Sequence, residues 1–277
     1  MTDPIATPFA DVIFPTGAAH GSPVVIEATP AGVVVVSINR PERKNAFDAL
    51  TIDALHEAFV TLKGQEHVRV VFLRGVGGAF CAGADLDWMR AAAGWNEDEN
   101  REDARGLARM LHALHALPQL TVALVEGPAF GGGAGLVAAC DLALATADAQ
   151  FSFSEVKLGL TPATISPYVV AAIGSRASRR LFATGERFDA AAAVRFGLVD
   201  RVVEDLHAEA VSLARAQRAC APEAVADAKR LVDDVAGRPI DGKLGEETAR
   251  RIAARRVSPE GREGVAAFLE RRRPEWA

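Results

Sequence analysis

Cysteine is scarce in this chain: residues 81, 140 and 220 are odd in number, widely spaced and free of any C-x-x-C pair. A disulfide framework and a zinc knuckle are thereby excluded, and a reducing compartment is expected. Long hydrophobic runs are missing too, since no apolar stretch approaches the roughly 20 residues that span a bilayer. The opening Met1-Thr2-Asp3-Pro4-Ile5-Ala6 lacks the charged-then-apolar signature of a secretory signal. These absences predict a cytoplasmic protein with no membrane association. Positive charge is in deficit, with 31 Lys and Arg against 36 Asp and Glu and a formal net charge of −5. With no basic, aromatic-studded stripe, nucleic acid is excluded as a partner, and any phosphate-bearing ligand must be held by local cations. The six histidines (20, 56, 67, 112, 115, 207) contain no H-x-x-x-H pair, and His112 and His115 have no neighbouring carboxylate or cysteine ligands. No metal and no separate cofactor are expected. Neither a P-loop Gly-Lys-Ser/Thr nor a dinucleotide-type G-x-G-x-x-G followed by an acidic residue some 20 positions on is present.

What remains is ordinary globular composition, 49% hydrophobic and 24% charged over 277 residues, enough to bury a full core. Residues 1–22 hold three prolines and no sustained period and read as an arm outside the fold. Val24–Ala28 and Val33–Asn39 flank a Thr-Pro-Ala-Gly turn and predict a hairpin. Asp48 is a candidate N-cap for a helix whose face carries Leu55, Phe59 and Leu62. Val68–Leu73 and Leu120–Val125 predict buried strands, each running into a glycine-rich turn and then a helix. Gly94–Asn100 reads as an acidic irregular segment, and the stripe Leu107, Leu111, Leu114, Leu117 as a helix stopped by Pro118. Strands alternating with helices argue for an α/β core over residues 23–204 whose strand ends build the site. From about Asp205 alanine, arginine and glutamate at helical spacing predict a helical region over 205–277, with no linker to mark an independent second domain.

The two glycine-rich turns, Phe80–Leu86 and Gly127–Gly135, carry the chemistry. Each can aim backbone N–H groups at one point, as a reaction requires when negative charge builds on a carbonyl oxygen. Glycines at 131, 132, 133 and 135 let the backbone approach a substrate, and the helix that follows adds its positive end. Glu155, after the alternating Phe151-Ser152-Phe153 and among apolar neighbours, is the candidate acid or base, because partial desolvation would raise its pKa toward the working range. Pairing with Lys157 on a solvated surface is the alternative.

The run Asn39–Phe47, the turn Phe80–Leu86 and the segment Gly127–Asp141, in this order, resemble the crotonase (enoyl-CoA hydratase/isomerase) family, and the resemblance extends to about residue 270. It implies a spiral of strand-strand-helix turns with a C-terminal helical region, assembled as a homotrimer or a dimer of trimers. The implied substrate is an acyl-CoA thioester, coenzyme A being part of the substrate, whose enolate is held by the backbone N–H groups of Ala84 and Gly132. Arg43 and Lys44 fall where the family contacts the coenzyme A nucleotide. Ala46, Ala82, Asp85, Leu86, Gly131 and Gly135 complete the implied substrate-binding set, although Asp85 and Asp141 read more simply as helix caps. Residues 154–169 look most like bacterial methylglutaconyl-CoA hydratases of leucine and isoprenoid catabolism. The expected reaction is therefore addition of water across the double bond of an α,β-unsaturated, branched acyl-CoA. The alternatives are a Δ3,Δ2-enoyl-CoA isomerase and a non-catalytic acyl-CoA-binding relative.

One departure stands out. Typical hydratases of the family carry a second glutamate where this chain has Gly135. Three outcomes fit: the water is held by Glu155 and a hydroxyl (Ser154, Thr164, Ser166 and Tyr168 are candidates), the vacated room accepts a bulkier acyl group, or one base suffices for a proton shuttle.

Overall fold

The hairpin expected at the start forms as β1 (Val24–Ala28) and β2 (Val33–Ile38), paired antiparallel with Val24 opposite Ile38. From β2 onward the main sheet is parallel, adding β3 (Val70–Gly75), β4 (Leu120–Val125), β6 (Leu142–Ala145) and β9 (Arg201–Val202), in the order β1-β2-β3-β4-β6-β9. The computed structural model describes residues 21–277. The N-terminal arm expected over residues 1–22 lies outside them except for its last two residues.

Unbroken Val/Leu/Phe runs become the middle strands because both faces of the sheet are covered. On one face Val34, Val36, Ile38, Val71, Leu73, Ala123 and Val125 pack under α1 (Ala49–Lys63), α3 (Glu97–His115) and α4 (Gly132–Ala139). On the other, Val33, Val35, Val70, Phe72, Val122 and Leu124 meet Leu206, Ala210 and Ala214 of α7 (Leu206–Arg218). The period-2 alternation of strand side chains sorts these residues between the two layers.

A second, smaller sheet joins β5 (Pro128–Phe130), β7 (Gln150–Ser152) and β8 (Arg187–Asp189). Single bridges extend it backwards, Cys81 to Ala129 and Phe47 to Ala84. Each turn of the chain thus runs strand, short second strand, helix, which is the α/β spiral of strand-strand-helix units that the resemblance implied. Short helices α2 (Leu86–Ala92) and α6 (Ala190–Phe196) and the longer α5 (Ser166–Thr184) complete it. Beyond α7, three helices form the C-terminal region: α8 (Pro222–Val235), α9 (Gly242–Val257) and α10 (Pro259–Glu270). Lys229 of α8 ties this region to the core, its Nζ 2.6 Å from Asp141 and 2.8 Å from the Gln119 carbonyl.

Gly94–Asn100 departs from expectation. Only Gly94–Asn96 is an irregular connection; Glu97–Asn100 begin α3, where Asn96 accepts from the Asp98 and Glu99 amides and Glu99 reaches back to the Asn96 N–H. That reciprocal cap, with three acidic residues at the positive end of the helix, outweighs the low hydrophobicity that made the segment look like a loop.

Candidate active site

Phe47 brings the two glycine-rich turns together. Its N–H donates to the Gly83 carbonyl at 2.7 Å and its carbonyl accepts from the Asp85 N–H at 2.7 Å. In a parallel bridge the residue between those two partners turns its own N–H the other way, so the Ala84 amide faces away from Phe47. The Phe47 ring lies against the second turn, where a Cβ on Gly132 would fall 2.9 Å from it. The turns are also stitched to each other: Cys81 donates to the Pro128 carbonyl at 2.9 Å and Phe130 to the Cys81 carbonyl at 2.9 Å.

Gly132 is the first residue of α4, where an N–H has no partner within the helix. Among the described residues, neither the Ala84 N–H nor the Gly132 N–H makes a hydrogen bond, and both line one cavity of about 440 Å³. Two residues with unpaired amides, one from each turn, thus line the same space.

Glu155 begins a single 3-10 turn (Glu155–Leu158), separated from β7 by two residues, and lines that cavity. Its Oε1 lies 3.2 Å from where a Cβ of Gly131 would stand, and Gly131 has φ +50°. A side chain at 131 would therefore be strained by the backbone and would press on the carboxylate. The Glu155 Oε2 is buried without a hydrogen-bond partner, and no ion pair, with Lys157 or any other described cation, engages the carboxylate. Burial pushes its pKa up from the ordinary glutamate value, its own backbone N–H offsetting part of the rise.

Of the remaining expected site residues, Ala82, Leu86 and Gly131 line the cavity, together with apolar side chains such as Met89, Leu107, Leu160 and Ile165. Asp85 does not. It is buried at 4% exposure, caps α2 through the Asp87 and Trp88 amides, and pairs with Arg40 at 3.0 Å. Burial alone would raise the Asp85 carboxyl; the two amides and the guanidinium outweigh it and hold the pKa below the usual aspartate value. Its place is that of a brace, not of a ligand contact. Arg43 and Lys44 are exposed outside the cavity, Arg43 held at 3.1 Å by Asp87. Ala46 is buried behind the turn and accepts a hydrogen bond from Arg40.

Gly135 departs most from expectation. It is buried in α4 and does not line the cavity, because a Cβ there would lie 2.2 Å from Ile165 Cγ2 and 2.8 Å from Ile165 Cβ. The room a second glutamate would take is filled by Ile165, so the reading in which Gly135 widens the acyl pocket fails. Of the four hydroxyl candidates, Ser154 and Thr164 line the cavity; Ser166 instead donates to the Ala163 carbonyl at 2.7 Å, and the Tyr168 ring packs edge-on against His115.

Two residues that hold the site went unnoticed in the sequence. Arg40 joins three elements at once, contacting Asp48, the N-cap of α1, and Asp85, the N-cap of α2, each at 3.0 Å, and the carbonyl of Ala46. Asn45, fully buried with φ +56°, donates to the Val76 and Ala79 carbonyls and accepts from the Arg40 N–H at 2.8 Å. Within the Arg-Pro-Glu-Arg-Lys-Asn run the resemblance singles out Arg43 and Lys44, not Arg40 or Asn45. The one available signal was an asparagine in a tight turn, where left-handed backbone is tolerated.

This geometry has counterparts. The chain matches the enoyl-CoA hydratase/isomerase family over residues 28–277. It is similar to a crystallised enoyl-CoA hydratase from Shewanella pealeana, with 39% identity, a TM-score of 0.90, and coverage of 92% of this chain and 96% of that one. AtuE of Pseudomonas aeruginosa follows at 37% identity and a TM-score of 0.87, covering 92% of this chain and all of that one. Enoyl-CoA hydratase AKT6-1 of Alternaria alternata is 34% identical over 252 residues, 88% of this chain and 80% of that protein. With its strand-strand-helix spiral, its paired turns and a match over nearly the whole described length, this chain belongs to the crotonase, or enoyl-CoA hydratase/isomerase, family, whose members act on acyl-CoA substrates.

Proposed function

We propose that the chain is a hydratase adding water across the double bond of an α,β-unsaturated acyl-CoA, and that its preferred acyl group is branched, of the methylglutaconyl type. The observation that carries the reaction is the meeting, in one mainly apolar cavity, of two unpaired amides and a carboxylate with a free oxygen. The Ala84 and Gly132 N–H groups bind the thioester oxygen and gain strength as it becomes anionic. In comparable sites one such donor is worth about 3–4 kcal/mol. Glu155 takes a proton from the attacking water and returns it to the α-carbon, a role its desolvated carboxylate suits. The branched acyl group rests on the resemblance of residues 154–169. The wider family resemblance underlies the homotrimer or dimer of trimers and Arg43 and Lys44 as contacts for the coenzyme A phosphates, and the few, widely spaced cysteines underlie a cytoplasmic location.

One observation favours a second reading. With Ile165 filling the space beside Gly135, no other carboxylate reaches the cavity from α4, and a single base suffices to move a proton between the α- and γ-carbons. Turnover of matched 2-enoyl and 3-enoyl thioesters, straight, branched and ω-carboxylated, separates the two. Hydration of the 2-enoyl series, fastest for 3-methylglutaconyl-CoA, is expected. Conversion of 3-enoyl to 2-enoyl thioesters without water uptake identifies an isomerase, and coenzyme A binding without turnover of any of them identifies a non-catalytic relative.

A further inference from the structure

Besides Glu155, one ionisable side chain lines the cavity among the described residues, and it is Asp103. It stands in the middle of α3, half-buried. From α2, Trp88, itself in the cavity wall, donates its indole N–H to Asp103 Oδ1 at 3.1 Å. The structural aspartates of this fold have visible duties: Asp48 and Asp85 cap helices and bind Arg40, and Asp141 binds Thr121 and Lys229. Asp103 caps nothing, pairs with no described cation and has Asp53 of α1 as its charged neighbour. Burial and that like charge push its pKa up, with the indole pulling the other way. A carboxylate oriented by an indole N–H, with no counter-ion, in the wall of a mainly apolar cavity points to use there.

A water molecule has two O–H bonds, and holding both directs its attacking lone pair at the β-carbon. Glu155 can hold one. Resting on the hydratase reading above, we propose that Asp103, oriented by Trp88, is a second catalytic carboxylate that accepts the other O–H of the attacking water. As the water oxygen bonds to the β-carbon, the C=C electron pair moves to form the enolate held by Ala84 and Gly132. One water proton passes to Glu155 and from there to the α-carbon as the enolate collapses. The other stays on the new hydroxyl, hydrogen-bonded to Asp103, which neither gains nor loses a proton.

The test compares the wild-type chain with Asp103→Asn and Trp88→Phe in two reactions. The first is hydration of whichever of crotonyl-, hexenoyl- and 3-methylglutaconyl-CoA the wild type hydrates fastest. The second is exchange of the α-hydrogens of butyryl-CoA in D2O, which needs only Glu155 and the two amides. In Asp103→Asn, kcat for hydration falls about a hundredfold or more with KM little changed, while exchange continues near the wild-type rate. Trp88→Phe shows a smaller loss, about tenfold, in hydration alone. Undiminished hydration in Asp103→Asn overturns the proposal and leaves the hydratase reading standing. Parallel loss of hydration and exchange also overturns it, marking Asp103 as a prop for the cavity wall. Absence of hydration in the wild type sinks the hydratase reading and this proposal with it.

Discussion

Glu155 is kept in a state that folding alone does not favour: desolvated, unpaired, with one oxygen lacking any partner. Its activity and its cost have the same origin. Glu155→Gln should reduce kcat by about 10²–10⁴-fold while affinity for butyryl-CoA, measured by calorimetry, stays close to wild type. Stability should move the opposite way. A carboxyl whose pKa is raised on folding binds its proton more tightly in the folded state, so its contribution is fully present below the unfolded value near 4.5 and is lost as pH rises through the folded one. Thermal melts should therefore show Glu155→Gln matching wild type in acid and exceeding it increasingly from about pH 4.5 upward; a gap that narrows with rising pH would contradict this. At Gly135 the constraint is steric. Gly135→Glu should not supply a working second carboxylate but destabilise the chain by about 1–3 kcal/mol through the clash with Ile165, and Ile165→Ala in the same chain should recover much of that in a denaturant titration. A glycine's identity is legible in a sequence, but what occupies the space above it is not. Ile165 lies 30 residues away and meets Gly135 only through the fold.

At the scale of elements, the long strands were legible because their apolar runs are strong: β1, β2 and β4 fall within a residue of expectation. Short pieces that depend on distant partners were not. β5 has three residues, and its identity comes from pairing with β7. The start of α3 was concealed by its charge, although Asn96 and Glu99 spelled a capping box. Arg40 shows how elements are locked around the site, since its guanidinium reaches the N-caps of both α1 and α2. Arg40→Ala should cost about 3 kcal/mol, because it leaves Asp85 buried and unpaired, and should slow turnover as the turn carrying Ala84 loosens. The pH dependence has the opposite sign to that of Glu155. The Asp85 pKa is held below 3.8, so this stabilisation is present above 3.8 and is lost as pH falls through the lower folded value. The melting gap between Arg40→Ala and wild type should accordingly close in strong acid. A gap that stays constant down to pH 2 would rule out the ion pair as its source.

Across the whole molecule, the class of fold and the place of the candidate site were readable because both turns sit at strand ends, where an open α/β sheet presents its loops. The convergence of those turns was not readable. It depends on Phe47, which pairs with one turn through its backbone and lies against the other with its ring. The C-terminal helices leave Phe268 and Leu269 of α10 82% and 72% exposed, as an assembling surface would. If the proposed trimer uses them, Phe268→Glu combined with Leu269→Glu should shift the mass in analytical ultracentrifugation from three or six chains toward one; an unchanged mass would place the interface elsewhere. The proposed chemistry depends on the amides of Ala84 and Gly132, and a crystal structure with butyryl-CoA bound tests them most directly. The thioester oxygen is predicted to lie within about 2.7–3.2 Å of both nitrogens, with the acyl chain beside Glu155. A thioester oxygen that touches neither amide, or is held by side chains instead, would contradict it.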